Sequence, residues 1–190
     1  LANYWSSIDI PVQVIDVDPQ QSLFTAREND SNEINKFQCL KYDVRSFDLN
    51  VKWNMFPNYV QELRKSKYHI LFDTPGILGN DAYMQVVLHS DFVIVPFQYE
   101  DYSVESTGQF AQALTLLTKN MPNFKRQIIF VPTMVDTRIG TASDREKLDE
   151  HDKSIEAVGL LSPRVPLRDC MQRRNTLSIT PKETACVLPC

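Results

Sequence analysis

Residues Val14-Ile15-Asp16-Val17-Asp18-Pro19-Gln20 place two carboxylates and a proline at the end of a short apolar run. A run of this length and composition reads as a buried strand, which normally excludes charge. In an extended chain Asp16 and Asp18 point to the same side, about 6–7 Å apart. Their repulsion at an effective dielectric near 20 is about 2–3 kcal/mol. A cation, or water at the edge of a sheet, must therefore compensate them. Pro19 cannot donate a ladder hydrogen bond and keeps Asp18 extended, so the strand ends with a carboxylate at its tip. Strand tips are where open α/β sheets bind ligands.

The rest of the chain alternates strand-like and helix-like segments. Strands are expected over Val12–Val17, Phe37–Tyr42, Tyr68–Phe72, Phe92–Phe97 and Gln127–Val131, with a short extended piece at Arg164–Leu167. Helices are expected over Asn58–Lys65, Asp81–His89, Val104–Lys119 and Asp144–Ala157. The Val104–Lys119 segment puts Phe110, Ala113, Leu114 and Leu117 on one face, an apolar stripe suited to packing on a sheet. Ser143 and Glu146 form a capping-box pattern, and Thr180-Pro181-Lys182-Glu183 repeats it with proline at the first helical position. This alternation predicts an α/β fold, a mostly parallel sheet with helices on both faces, as a single domain over 1–190. Leu1–Trp5 reads as the closing turns of a helix, and the helix at Thr180 has little room before Cys190. Truncation is expected at the N-terminus and also at the C-terminus.

Composition excludes several classes. The 20 basic and 24 acidic residues give a net charge of −4, which argues against wholesale nucleic-acid binding but not against a local basic face. No apolar run is long enough to span a bilayer and no signal peptide opens the chain, so a cytoplasmic protein without membrane attachment is expected. Cys39, Cys170, Cys186 and Cys190 form no CxxC pair, and His69, His89 and His151 are scattered. Neither pattern suits zinc.

A second apolar strand ends in an aspartate at Tyr68-His69-Ile70-Leu71-Phe72-Asp73-Thr74-Pro75-Gly76. A carboxylate at a strand tip beside a phosphate loop is how many nucleotide hydrolases hold Mg²⁺, directly or through water. An aspartate that merely caps the following turn is the plainer alternative. Three acids at two strand tips, without clustered histidines, favour a hard cation such as Mg²⁺.

Four segments, Val14–Gln20, Phe72–Gly76, Phe92–Pro96 and Val131-Pro132-Thr133-Met134-Val135-Asp136, occur in the order seen in ParA-type partition ATPases. The similarity extends through Ser162-Pro163-Arg164-Val165-Pro166-Leu167-Arg168 and so covers nearly the whole chain. The chain thus resembles the deviant Walker P-loop group of ParA, MinD and the nitrogenase iron protein, a SIMIBI-type P-loop NTPase fold.

The resemblance implies ATP and Mg²⁺ as cofactors and a homodimer sandwiching two nucleotides. Asp18 matches the aspartate that orients or activates the attacking water, and Asp16 its neighbour in the magnesium and phosphate region. Asp73 matches the Walker B aspartate, reaching Mg²⁺ through water. Thr133, Met134 and Asp136 match a segment beside the base, although a plain strand-to-loop junction explains them equally well. Pro163, Arg164, Val165, Pro166 and Leu167 match the loop closing over the adenine.

The family also implies nonspecific DNA binding by the ATP-bound dimer and a ParB-like partner that stimulates hydrolysis. Lys125, Arg126, Arg138, Arg173 and Arg174 are the candidate DNA contacts, with ordinary solvated basic residues as the plainer reading. Partition of a plasmid, chromosome or mobile element is the expected role. A MinD-like positioning ATPase and a degenerate nucleotide-fold scaffold are alternatives. A phosphoreceiver domain also uses an early acid pair and a strand-end aspartate, but it requires a lysine that Val131–Asp136 lacks.

One departure stands out. The family's glycine-rich loop with its two lysines does not occur, and of the five glycines no two are adjacent. A loop that cradles phosphates needs closely spaced glycines and a lysine. The expectation is that this loop precedes Leu1, and that the fragment alone has little or no ATPase activity.

Overall fold

The computed structural model describes residues 1–33, 40–76, 81–99, 107–113, 116, 127–136, 142–168 and 175–187. Two compact units divide the chain, Leu1–His89 with Arg173–Thr184, and Ser90–Gln172 with Ala185–Cys190.

The first unit is built on a parallel three-stranded sheet in the order β2-β1-β3, with β1 at Val12–Asp16, β2 at Asp43–Ser46 and β3 at His69–Asp73. All five residues of β1 are buried, as a central strand covered on both faces demands. Its alternate side chains feed two cores. Ile15 packs with Leu49, Phe56, Val60, Tyr83 and Val86 from α3 (Leu49–Lys52), α4 (Phe56–Arg64) and α5 (Asp81–His89). Val12 and Val14 pack with Tyr42 and Val44 against Ala2 and Trp5 of α1 (Ala2–Ser7) and Leu23 and Phe24 of α2 (Ser22–Glu33). Helices thus cover both faces of this sheet, as expected.

The edge strand β2 corrects the sequence reading. The sequence predicts a strand over Phe37–Tyr42; Phe37–Cys39 lie outside the described residues, Leu40–Tyr42 belong to no strand, and pairing begins at Asp43. Only Val44 of the four β2 residues is buried, so the strand leaves no apolar run to find. Helix α2 was not anticipated either. Its apolar residues gather at its first turns, and the rest, through Glu33, is polar. The buried residue further along is Arg27, which no hydrophobic stripe would reveal.

The second unit carries a parallel sheet in the order β4-β5-β6, with β4 at Phe92–Phe97, β5 at Gln127–Pro132 and β6 at Leu160–Leu161. Its described helices are α6 (107–113) and α7 (Ala142–Glu156). Among its described residues Phe97, Ile128, Phe130, Pro132 and Ile155 are buried and apolar. A Cβ at Gly159, just before β6, would lie 2.8 Å from the Ile128 carbonyl oxygen and 2.8 Å from the Phe130 ring. Close backbone approach requires glycine there.

The third strand of this sheet, Leu160–Leu161, was not anticipated, and the extended piece expected at Arg164–Leu167 makes one bridge, Pro166 to Val135. Helix α7 starts at Ala142, so Ser143 sits inside its first turn instead of capping it. Leu114 and Leu117 of the expected apolar stripe lie outside the described residues. The device at Thr180 forms as predicted and opens α8 (Pro181–Val187). The Thr180 N–H donates to Glu183 Oε2 at 2.6 Å, and the Glu183 N–H to Thr180 Oγ1 at 3.3 Å.

Candidate functional site

Parallel pairing of β1 with β3 puts Asp16 directly opposite Asp73, both at the C-terminal ends of their strands. The tips stay joined one step further, because the Val17 N–H donates to the Asp73 carbonyl at 2.9 Å. The turn that follows uses the sequence as its chemistry suggests. The Asp18 carbonyl accepts the Gln21 N–H at 2.9 Å, which places Asp at the first and Pro19 at the second position of a β-turn. Asp18 Oδ1 also accepts the Gln20 N–H at 2.8 Å. Gln21 leaves the turn with φ at 48° and α2 begins.

Asp16 is fully buried, and its charge is compensated by backbone amides. Oδ1 accepts the Asp18 N–H at 3.0 Å, and Oδ2 accepts the Phe24 N–H at 2.9 Å. Phe24 lies in the first turn of α2, whose amides have no intrahelical acceptor and whose dipole favours a nearby anion. One buried carboxylate therefore ties β1, the Asp18 turn and α2 together. Its main-chain oxygen also accepts the Phe47 N–H at 2.9 Å, beyond the end of β2. The charge is legible in the sequence but these donors are not, because they come from residues two and eight positions downstream.

Asp18 is half-buried, and Asp73 is exposed at the rim. The Asp73 carboxyl is held above the ordinary carboxylate range, first because its inner side is desolvated and then through the charges of Asp16 and Asp18. A cation here would be attracted by the same charges. Among the described residues no group of three His, Cys, Asp or Glu side chains is close enough to cage a metal ion.

The other expected site residues lie in the second unit, where they adjoin one another. Thr133 follows β5 and donates twice to the Phe97 carbonyl, from N–H at 2.7 Å and from Oγ1 at 3.0 Å. Met134 takes φ of 55° and is exposed. A left-handed conformation in a side-chain-bearing residue costs about 1 kcal/mol or more and concentrates at ligand-binding loops. The loop carrying Pro163, Arg164, Val165 and Pro166 runs alongside. The Val165 N–H donates to the Pro132 carbonyl at 2.8 Å, the Val135 N–H to the Val165 carbonyl at 3.1 Å, and the Leu167 N–H to the Val135 carbonyl at 2.9 Å. Asp136 closes this segment.

Arg164 turns toward α7, where it meets Asp152 and Asp149, and toward Tyr99, beyond the end of β4. None of these three partners was singled out in the sequence, since acids on a solvated helix look ordinary. The candidate DNA contacts Lys125, Arg126, Arg138, Arg173 and Arg174 lie outside the described residues. The histidines are placed apart: His69 against Trp5, His89 with Nδ1 2.8 Å from the Gln85 carbonyl, and His151 beside Phe97 and Tyr99.

No protein-family profile matches the chain, and no curated protein matches it by sequence. Solved structures do. A plasmid partition protein from Borrelia burgdorferi matches with a TM-score of 0.57 at 20% identity, over 88% of this chain and 82% of that one. Apo McdA from Cyanthece matches with a TM-score of 0.65 at 14% identity, over 90% and 80%. A ParA family ATPase from Chlorobium tepidum matches with a TM-score of 0.61 at 17% identity, over 90% and 78%. The chain has the ParA/MinD-type P-loop ATPase fold, the α/β architecture with parallel sheets and flanking helices that its motif order suggested.

Proposed function

We propose that the chain belongs to a ParA-type ATPase that positions DNA cargo, in plasmid or chromosome partition or on a mobile element. The observation that carries this reading is the pairing of Asp16 with Asp73 at two strand tips, with Asp18 turned out beside them, on a fold shared with a plasmid partition protein. In this reading Asp18 orients the attacking water. Its backbone is fixed for that task by the Asp16 carboxylate on one side and the Gln21 amide on the other, and its carboxylate is oriented by the Gln20 amide. Asp73 and Asp16 hold Mg²⁺ through water, and the ion supplies neutralisation of the phosphate charge. Thr133, Met134, Asp136 and the loop Pro163–Pro166 line the base.

ATP turnover then requires a phosphate-binding loop that these 190 residues do not contain. The working form in this proposal is an ATP-bound homodimer in the cytoplasm that holds DNA nonspecifically and is stimulated by a ParB-like partner. Titration of the complete gene product with a fluorescent ATP analogue tests the core of it. Binding that depends on Mg²⁺ is expected. A complete protein that binds no nucleotide at any Mg²⁺ concentration would leave a scaffold with a nucleotide fold. DNA binding by the ATP form should weaken steeply with salt through counterion release, and a flat salt response contradicts the DNA role.

A further inference from the structure

Arg164 sits in the loop proposed to line the base, yet its guanidinium is spent on the protein. Nη2 lies 2.6 Å from Asp152 Oδ2 and 3.2 Å from Asp149 Oδ1. Nε donates to the Tyr99 hydroxyl at 3.1 Å, and the guanidinium carbon lies 5.3 Å from the centre of the Tyr99 ring. The ring of contacts closes, because the Tyr99 hydroxyl donates to Asp152 Oδ1 at 2.5 Å. Asp152 is only 16% exposed in its side chain, so this pair is more sheltered than an ordinary surface ion pair.

Burial works against the Arg164 charge, but its hydrogen bonds to Asp152 and Tyr99 more than offset this and raise its pKa. Tyr99 is pushed up to about 12, by desolvation first and then by its bond to Asp152, so its proton stays in place as a donor at any working pH. The main chain of the same loop is bonded through Val165 to Pro132 at the end of β5 and through Leu167 to Val135 in the segment that follows. The loop is thus pinned by its backbone to β5 and by one side chain to α7.

We propose that Arg164 is a positioning residue: through Asp152 and Tyr99 it locks the loop 162–167 against β5, and it does not itself touch the nucleotide. The second half of this inference rests on the nucleotide-binding reading above, whereas the lock does not.

The test uses the complete protein and two readouts, amide hydrogen exchange by NMR and the dissociation constant of a mant-ATP probe. Arg164→Ala and Asp152→Ala should each speed exchange of the Val165 and Leu167 amides about tenfold or more, leaving amides within β5 unchanged as a control for folding. Both should weaken mant-ATP binding to a similar degree, and the double variant no further than the worse single one, as two parts of one lock behave. Arg164→Lys keeps the charge but not the fork that reaches Asp152 and Tyr99 together, and should fall between wild type and alanine. Unchanged exchange in both alanine variants overturns the lock. Wild-type binding by Asp152→Ala, alongside failure of Arg164→Ala, overturns the positioning role and makes Arg164 a direct contact. A wild-type protein that binds no mant-ATP sinks the nucleotide reading instead, while the exchange rates still decide the lock.

Discussion

Asparagine in place of Asp16 separates the two electrostatic effects that meet at the strand tip. The carboxylate accepts two buried amides, from Asp18 and Phe24. Asparagine keeps one acceptor and turns its amide group toward the other N–H, which costs about 1–3 kcal/mol for the donor left without a partner. Against this, removing one negative charge relieves repulsion with Asp18 and Asp73. That relief is smaller, because Asp18 is half-buried and Asp73 exposed: a carboxylate pair 6–7 Å apart falls from about 2–3 kcal/mol at a dielectric near 20 to about 0.6 kcal/mol at that of water. The net prediction for Asp16→Asn is a loss of about 1 kcal/mol, a fall in Tm of about 2–4 °C for a domain of this size. Asp16→Ala should lose more, about 2–4 kcal/mol, because both amides are then orphaned. Asp18→Asn, with its oxygen still able to accept the Gln20 N–H, should stay within about 0.5 kcal/mol of wild type. Urea unfolding of all three variants, with unchanged m-values, gives the order directly. An Asp16→Asn variant as stable as wild type would mean that repulsion dominates and that the two amide bonds do not hold the tip.

Asp73 has its folded-state pKa raised, so its contribution to stability is fully present below the ordinary carboxylate pKa and is lost as pH rises through the raised value. Without Mg²⁺, Asp73→Asn should therefore be slightly more stable than wild type at pH 7, by under about 1 kcal/mol after solvent screening, and the gain should vanish below the ordinary carboxylate range. A pH-independent difference in thermal melts contradicts this. Arg27 is 5% exposed and donates to the Tyr42 and Thr176 carbonyls with its guanidinium over the Tyr42 ring. Arg27→Ala should cost about 2–4 kcal/mol in urea unfolding and expose Asn175–Ser178 to proteolysis; a loss within error of zero contradicts the packing described. Gly159→Ala should destabilise by about 1–3 kcal/mol through its contacts with Ile128 and Phe130, and a neutral melt would show that β6 can shift to admit a methyl group.

Elements with a dense apolar signal were legible in the sequence, and those whose signal lies in partners were not. β4 at Phe92–Phe97 and α5 at Asp81–His89 fall where the residues indicate, β1 ends one residue early, and β3 is shifted by one residue. β2 was missed because one buried valine suffices for an edge strand, and α2 because its anchor further along is an arginine. The acid pair at Asp16 and Asp18 was readable as a charge problem at a strand tip. Its solution was not, because the compensating amides are defined only once α2 folds back on β1. The bridge that sets Pro166 beside Val135, and Arg164's partners on α7, come from the fold alone.

The central claim is that Asp18 is the water-orienting carboxylate of an ATPase, and single-turnover hydrolysis by the complete protein with Mg²⁺ tests it most directly. Asp18→Ala should retain mant-ATP binding while hydrolysis falls at least about tenfold, equivalent to ~1.4 kcal/mol of barrier. Turnover equal to wild type in that variant, with binding intact, would contradict the role assigned to Asp18.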